Sequence, residues 1–489
     1  MIPDDDRCFQ ALVARDARFD GRFFVGVVTT GIYCRPVCPA RTPHRRNVRF
    51  YPSAAAASAA GLRACRRCRP DSLPGSRAWD HRGDLVARAL RLIGSGAADE
   101  TGATGLAQQL HVTPRHLNRA LVAEVGATAG ALARARRAQT ARLLLEQTGM
   151  SAADVAFASG FGSVRQFNDV MRRQFALTPG ELRRAVPDDG RSAATTGVDV
   201  RLRFRPPYAA EEVLAWMSRH TVPGVDRVDV AERVVSSGMP DGTRVHVVFE
   251  ERSVRARVEL PANVDVRAIP TRIAAVRRWL DLDAAPARID ADLSRDPALG
   301  SAVRRVPGLR VLGALDPFRT LTSTIVSQQV SVAAAATQNG RLCEFTTGGD
   351  RFPTAAELAA RDPDEVAGAL GIPRRRGRAL VEVAELVASA EVDLSAGADR
   401  DAVVDRLGQV AGIGPWTLAD VRMRCLADPD VWPGSDLILR RAVSPGGRFV
   451  GFDPDSAAPW RSYAAHHVWV AHSVDQKPAP RVALSEENT

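Results

Sequence analysis

Val410-Ala411-Gly412-Ile413-Gly414-Pro415-Trp416-Thr417 lies between two apolar segments, Val403–Leu407 before it and Leu418–Met423 after it. Both flanks have helical character, so the stretch reads as helix, tight turn, helix. The glycines permit the turn and let backbone N–H groups approach a DNA phosphate. Pro415 suits the first position of the second helix. A Gly-x-Gly pair alone says little. Set between helices, and followed by Asp436 in Trp432-Pro433-Gly434-Ser435-Asp436-Leu437, it points to a helix-hairpin-helix with a carboxylate close behind.

Working outward, the pattern is helical from about Asp265 to Ala471, with Pro and Gly punctuation. Before it, Val198–Arg205 alternates apolar and basic residues, which predicts a half-buried strand. Thr243–Phe249 and Val254–Leu260 read the same way, with a helix near Glu211–Ser218, so a small antiparallel sheet is expected. Val186–Gly197 is short, polar and contains Gly, Pro and Ser, a linker by composition. From about Asp84 to Ala185 the chain reads as mostly helical and carries two helix-turn-helix patterns. In the first, Leu106–Leu110 leads through His111-Val112 to Thr113 as N-cap and Pro114 as first helical residue. In the second, Val155–Gly162 leads to Ser163 as cap of a helix beginning at Val164.

A chain of 489 residues is too long for one core, and three or four domains are expected. The division reads as 1–80, 84–185, a linker at 186–197, 198–265, 266–475 and a loose tail at 476–489. The fold class is multi-domain, mainly α with small α+β parts. Charge is unevenly placed. Residues 1–185 carry 28 arginines against 15 acids, a net of +13, and the remainder is at −3. A phosphate-binding surface in the first part would produce that asymmetry. A general preference for arginine is real, since Lys477 is the only lysine, but it does not explain a difference between halves. The acidic opening Met1–Asp6 lacks the basic and apolar order of an export signal. No apolar run approaches the ~20 residues that span a bilayer. A cytoplasmic protein with no membrane partner is therefore expected.

Seven cysteines in such a chain argue against a disulfide framework. Cys34-x3-Cys38 and Cys65-x2-Cys68 form two pairs about thirty residues apart, a spacing and donor set that suit one tetrahedral Zn²⁺. Cys8, Cys343 and Cys425 stand alone and are expected to be buried or incidental. A bare four-cysteine staple would be the simplest reading. Around the pairs, however, crowd Arg35, Arg41, Arg45, Arg46, Arg66, Arg67 and Arg69, and a zinc-bound thiolate among arginines is a nucleophile beside a phosphate-binding surface.

Thr29–Arg41 and Gly61–Asp71, which contain these cysteines, resemble the N-terminal domain of Ada. The resemblance implies that the first cysteine, Cys34, irreversibly takes a methyl group from a methylated DNA phosphate, with Cys38, Cys65 and Cys68 as the other ligands. Methylating one thiolate of a four-thiolate zinc removes one negative charge, so repulsion from the DNA backbone falls. The Pro-Cys-His-Arg motif of Ada's C-terminal part is absent, and repair of O6-alkylguanine is not expected. The paired helix-turn-helix patterns, closing with Phe175–Arg183, resemble AraC-type DNA-binding domains. Second helices of such folds lie in the major groove, which makes Arg115, His116, Asn118 and Arg119, then Arg165, Gln166 and Asn168, candidate DNA contacts. A helical spacer without DNA contact is the plainer alternative.

Arg203–Tyr208, Ser327–Val332, the hairpin and Pro459–Tyr463 together resemble the AlkA-type 3-methyladenine DNA glycosylase II, over about residues 198–475. The resemblance implies that Asp436 is catalytic, stabilising oxocarbenium charge as the glycosidic bond breaks. A simple helix N-cap is the alternative for this residue. Trp216, Trp416 and Trp469 match positions near the base pocket, where an aromatic face attracts a cationic base; core packing is the alternative. Gln329 stands where the family's type member has a leucine wedge, and Asp420 where it has a pocket tyrosine. Gly412 and Gly414 join Gln329, Arg35, Arg45, Arg66 and Arg67 as expected DNA contacts. Lyases of this architecture carry a lysine where this chain has Trp416, so a monofunctional glycosylase without a cofactor is expected. Double-stranded DNA, alkylated or promoter, is the expected partner of a monomer, with RNA polymerase a further partner if transcription is activated. The alternative is a regulator whose C-terminal part binds DNA without catalysis.

Overall fold

A computed structural model of the protein describes residues 4–16, 19–20, 23–68, 70, 81–185 and 197–475. The linker expected at 186–197 lies outside the described residues except for Gly197, and the tail expected at 476–489 lies wholly outside them. The chain separates into two compact units, Met1–Ala87 with Arg115–Gly126, and Arg88–Pro114 with Ala127 onward.

The first unit opens with α1 (Asp5–Ala14), capped by Asp4, whose side chain accepts the Arg7 amide. Strands β1 (Phe24–Val27), β2 (Ile32–Cys34), β3 (Val48–Tyr51) and β4 (Arg63–Ala64) form a sheet in the order β3-β1-β2-β4, accompanied by α2 (Ala54–Ala59). β1 runs antiparallel to β2 and β3. β2 and β4 run parallel, with Ile32 opposite Arg63 and Tyr33 opposite Ala64. Because Cys34 ends β2 and Cys65 follows β4, this one parallel step carries the two distant cysteine pairs to the same end of the sheet. Cys8, Phe23, Val25 and Val48 fill the core beneath. Helices α3 (His81–Ser95), α4 (Ala97–Gln109) and α5 (Pro114–Val125) follow in sequence. α4 is broken at Gly102, whose φ is +67°. α5 belongs to the first unit, and it buries Leu117, Ala120 and Leu121.

In the second unit α6 (Ala129–Gln147) packs against α7 (Ala152–Ala158), α8 (Val164–Phe175) and α9 (Pro179–Arg184). Ser163 caps α8 as its sequence predicts, accepting the Gln166 amide at 3.2 Å. Thr178 and Glu181 cap α9 reciprocally. A five-stranded antiparallel sheet follows, formed by β5 (Gly197–Arg203), β6 (Asp226–Asp229), β7 (Val234–Gly238), β8 (Arg244–Phe249) and β9 (Ser253–Glu259) in the order β5-β9-β8-β7-β6, with α10 (Ala210–Arg219) between β5 and β6 in sequence. The sheet and α6–α9 share a core. Leu144, Val155, Phe167 and Met171 belong to one buried cluster with Val200, Leu202, Val247 and Val254. Gln147 on α6 seals the join, its Nε2 donating to the Arg201 carbonyl at 3.4 Å while its Oε1 accepts the Arg201 amide.

The rest of the unit is helical, as expected: α11 (Ile269–Trp279), α12 (Pro286–Leu293), α13 (Gly300–Arg305), α14 (Pro317–Val326), α15 (Val332–Thr347), α16 (Ala355–Ala359), α17 (Pro363–Leu370), α18 (Arg374–Ala388), α19 (Arg400–Leu407), α20 (Pro415–Asp420), α21 (Leu437–Val443) and α22 (Arg461–Asp475). Two further cores form here. One gathers α14, α15, α17, α18 and α19. The other gathers α12, α13, α21 and α22. α20 stands where they meet, with Leu418 packed on the first and Ala419 on the second. Within this unit, whose boundary at Arg88 falls inside α3, Arg88 donates to the Gly397 carbonyl at 2.8 Å and Arg91 to that of Ala396 at 2.9 Å. Among the described residues no helix is long and apolar enough to cross a membrane.

Candidate functional site

Cys34, Cys38, Cys65 and Cys68 are buried, with their sulfurs within 4.8 Å of one another. Tetrahedral zinc with bonds of ~2.3 Å would separate thiolates by about 3.8 Å, and Cys38 Sγ lies 4.0 Å from Cys65 Sγ. Bare thiols at this spacing oppose one another. Hydrogen bonding with Cys38 pushes the Cys34 thiol far up, and the reciprocal bond pulls Cys38 down. Backbone geometry holds the set in place. The Cys38 amide donates to the Arg35 carbonyl at 3.1 Å, and the Cys65 amide to that of Tyr33 at 3.0 Å. The donor chemistry and the spacing fit one Zn²⁺.

The four sulfurs differ in their surroundings. The Arg35 amide donates to Cys68 Sγ at 3.4 Å, and the Ala40 amide to Cys38. Such bonds draw charge off a thiolate and blunt it. Cys34, Cys38 and Cys65 line a groove of about 580 Å³ whose walls include Thr29, Thr30, Arg41, Arg66 and Arg67. Arg66 and Arg67 are exposed there. Arg35, also expected to contact DNA, is not. Its guanidinium is buried against Asp20, Nε to Oδ1 at 2.8 Å, because that upstream carboxylate draws it inside. Arg45 is half-exposed, held by Asp5 at 3.1 Å and lying over the Phe9 and Phe50 rings.

On α5, Arg115, His116 and Arg119 are exposed and Asn118 is half-buried, with Arg119 Nη2 3.3 Å from His116 Nδ1. On α8, Arg165 and Gln166 are exposed and Asn168 is half-buried. Gln166 Oε1 accepts the Gly162 amide at 3.1 Å. Each helix thus buries one apolar stripe and turns its polar residues outward.

At the hairpin, Gly412 has φ +98°, a backbone that favours glycine, and is exposed. Gly414 caps α20 at φ −102° and needs no such freedom. The turn is fastened by a residue that sequence reading passed over. Gln328 Nε2 donates to the Gly412 carbonyl at 3.1 Å and to Thr417 Oγ1 at 2.8 Å. Its neighbour Gln329 is exposed in a left-handed conformation, φ +58°.

Asp436 caps α21, its Oδ1 accepting the Leu439 amide at 3.0 Å. It is more than a cap. Trp416 Nε1 donates to Oδ2 at 3.0 Å and Trp469 Nε1 to Oδ1 at 3.2 Å, so α20, α21 and α22 converge on one half-buried carboxylate. Trp416 and Trp469 are therefore brought together with Asp436. Trp216 joins a different pair: it stacks on His220, ring centroids 4.0 Å apart and 13° between planes, and the Arg424 guanidinium lies over it at 4.6 Å. Asp420 Oδ2 accepts from Thr324 Oγ1 at 2.7 Å and lies 3.9 Å from Arg424. Arg424 also escaped the sequence reading, having no motif to mark it.

Four family models match the chain in succession: the metal-binding domain of Ada over residues 7–71, a helix-turn-helix domain over 106–185, the AlkA N-terminal domain over 199–316, and the HhH-GPD superfamily of base excision DNA repair proteins over 322–448. The first covers all four clustered cysteines, and the centre they form is a zinc site. The chain is 42% identical to a probable bifunctional transcriptional activator/DNA repair enzyme AlkA of Mycobacterium tuberculosis, over 98% of this chain and 99% of that one. It is 43% identical to the bifunctional transcriptional activator/DNA repair enzyme Ada of Escherichia coli, over 28% of this chain and 38% of the relative. It is 29% identical to DNA-3-methyladenine glycosylase 2 of Escherichia coli, over 55% of this chain and 95% of the relative. From the near end-to-end match and the order of its domains, the protein belongs to the family of bifunctional transcriptional activators and DNA repair enzymes that join an Ada-type zinc domain to an AlkA-type DNA glycosylase.

Proposed function

We propose that Cys34 is the methyl acceptor, that α5 and α8 carry the DNA-reading side chains, and that Asp436 supports monofunctional excision of alkylated purines such as 3-methyladenine. The observation that carries the excision reading is the carboxylate of Asp436 clasped by two indole N–H groups beside the hairpin. Donors on both oxygens fix its direction, as preorganised stabilisation of a developing charge requires. When the N-glycosidic bond breaks, its electron pair leaves with the base, and positive charge develops at the sugar's C1′ and ring oxygen. Asp436 stabilises that charge until water adds to C1′. A base already cationic through alkylation leaves without a strong acid, so one carboxylate suffices. Trp416 occupies the place where a lyase would need lysine for a Schiff base, which supports hydrolysis alone.

At the other end, bound zinc would supply a thiolate at neutral pH. Cys34 Sγ then attacks the methyl carbon of a phosphotriester. An S–C bond forms, the C–O bond breaks, and the pair stays on the phosphate oxygen. The protein so methylated holds DNA more tightly through lost repulsion. The division at 1–80, 84–185, 198–265 and 266–475, a monomeric state, a cytoplasmic location and contact with RNA polymerase belong to the same proposal.

Release of 3-methyladenine from alkylated DNA by the wild type, reduced at least ~100-fold in Asp436→Asn, tests the excision reading. No release by the wild type would favour a regulator without catalysis, and equal release by both would remove Asp436 from its role. Mass spectrometry after exposure to methylated DNA should find one methyl group on Cys34. A methyl group on another cysteine would reassign the acceptor.

A further inference from the structure

Helix α18 begins on Arg374-Arg375-Arg376-Gly377-Arg378, four arginines in five residues. They do not share one side of the helix. Gly377 faces α17, where a Cβ would run into the Pro363 carbonyl and Ala367. Arg374 and Arg378, four apart, flank that contact, and each lies 3.9 Å from Asp364 on α17. Arg375 and Arg376 are turned elsewhere. They precede Ala379 by four and three residues, so they share its side of the helix. Ala379 is where the hairpin rests, its Cβ 3.9 Å from the place a Cβ on Gly412 would take. The first turn of α18 thus lies roughly 6 Å along the helix from the hairpin glycine.

Three observations at this turn point to an anion. First, Arg376 is only 7% exposed, yet among the described residues its side chain makes no hydrogen bond and no ion pair. Burial pushes its guanidinium down from the ordinary value, the Arg375 charge pushes the same way, and no acid opposes them. A buried charge without a partner is costly, and five N–H donors are stranded with it. Second, α18 has no side-chain cap. Pro373 stands at the N-cap, and the amides of Arg374 and Arg375 have no acceptor among the described residues. Free amides at the start of a 15-residue helix carry its positive pole. Helical side chains lean towards the N-terminus, so Arg376 reaches back to these same amides. Third, the surroundings are cationic. Arg375 is exposed, and Nη1 of Arg341 on α15 lies 3.3 Å from where a Cβ on Gly371 would stand, just before the turn.

Resting on the hairpin as a DNA contact, we propose that the first turn of α18 is a second DNA-phosphate site, where the Arg374 and Arg375 amides and the Arg376 guanidinium receive one phosphodiester beside the segment gripped by the hairpin. Helix-start amides and a planar guanidinium both suit the non-bridging oxygens of a phosphate. The Arg375 side chain, exposed next to them, adds attraction for the same group. Phosphate contacts set register and orientation on the duplex. Two adjacent grips hold the backbone where a single one would let it pivot.

The test uses the full chain and an undamaged duplex, with affinity followed against salt. The zinc and helix-turn-helix parts contribute equally in every variant, so the difference in slope reports the site. Losing one phosphate contact should lower the slope of log affinity against log salt by about 0.9. Arg376→Met is expected to show that drop with several-fold weaker binding, and Arg376→Lys, which keeps the charge, to restore most of it. Without DNA, Arg376→Met should melt no lower than the wild type, since a buried charge without a partner is removed. Arg375→Ala, at an exposed position, should weaken binding in the same direction at unchanged stability. Unchanged slopes in both α18 variants overturn the site. A drop in Arg376→Met that comes with a lower melting temperature, and is not matched in Arg375→Ala, reduces Arg376 to a structural role and overturns it as well. Gly412→Val separates this inference from the reading beneath it. A drop there with none at α18 overturns the second site and leaves the hairpin standing, and no drop in any variant sinks both.

Discussion

At Gln328 a single carboxamide bridges the hairpin carbonyl of Gly412 and the buried hydroxyl of Thr417. Replacing it with alanine leaves both acceptors without that donor, and a loss of about 1–2 kcal/mol is expected. Thermal unfolding of Gln328→Ala should show it, together with weaker binding to undamaged duplex DNA, since the hairpin turn is what the glutamine steadies. Unaltered DNA affinity would confine Gln328 to stability. The cysteines and Asp436 were legible in the sequence because their motifs are local and their chemistry is unusual. Gln328 and Arg424 were missed for the opposite reason. Each is defined by a partner far away in sequence, Gly412 or Trp216.

Among elements, those with clean periodicity could be read in advance. β5, β8, β9 and α10 fall within a residue or two of expectation. β6 and β7 were missed because Asp226-Arg227-Val228-Asp229 is almost wholly polar, and Val234–Gly238 ends in Ser-Ser-Gly. β6 at the sheet edge and β7 beside it take their order from neighbouring strands rather than from their own pattern. The turn after α11 holds a different kind of information. Asp281 accepts from the Tyr463 hydroxyl at 2.8 Å, and burial raises its carboxyl from 3.8 to about 7. The folded protein therefore keeps this proton over a range in which the unfolded chain releases it. The associated stability is fully present below about pH 4 and is lost progressively as the pH climbs to about 7. Asp281→Asn retains an acceptor for Tyr463 and suits the left-handed backbone, φ +50°. Its melting temperature should match the wild type near pH 4 and exceed it above pH 7. A constant offset across that range would rule out Asp281 as the titrating group.

Across the whole molecule, the two units should respond differently to metal withdrawal. The zinc unit has a small core built around its cysteines, and metal binding at such sites is a large part of folding free energy. A zinc-selective chelator is expected to abolish methyl acceptance and unfold that unit, with base excision retained. Loss of excision at the same chelator concentration would show that the second unit depends on the first. Phe167→Ala makes the converse test. The ring is fully buried in the cluster that α6–α9 share with the sheet, and its removal should cost about 3–5 kcal/mol. That loss should hasten heat inactivation of the glycosylase, although the residue lies on a helix assigned to DNA reading.

The shared cluster also bears on how this chain can be taken apart. A protease that severs the backbone anywhere between Ala185 and Gly197 breaks a covalent bond but leaves Leu144, Phe167 and Met171 pressed against the apolar side chains of β5, β8 and β9. The two fragments would elute together from a sizing column and run apart only in detergent. A truncation ending at Ala185 would present that greasy seam to water and tend to precipitate.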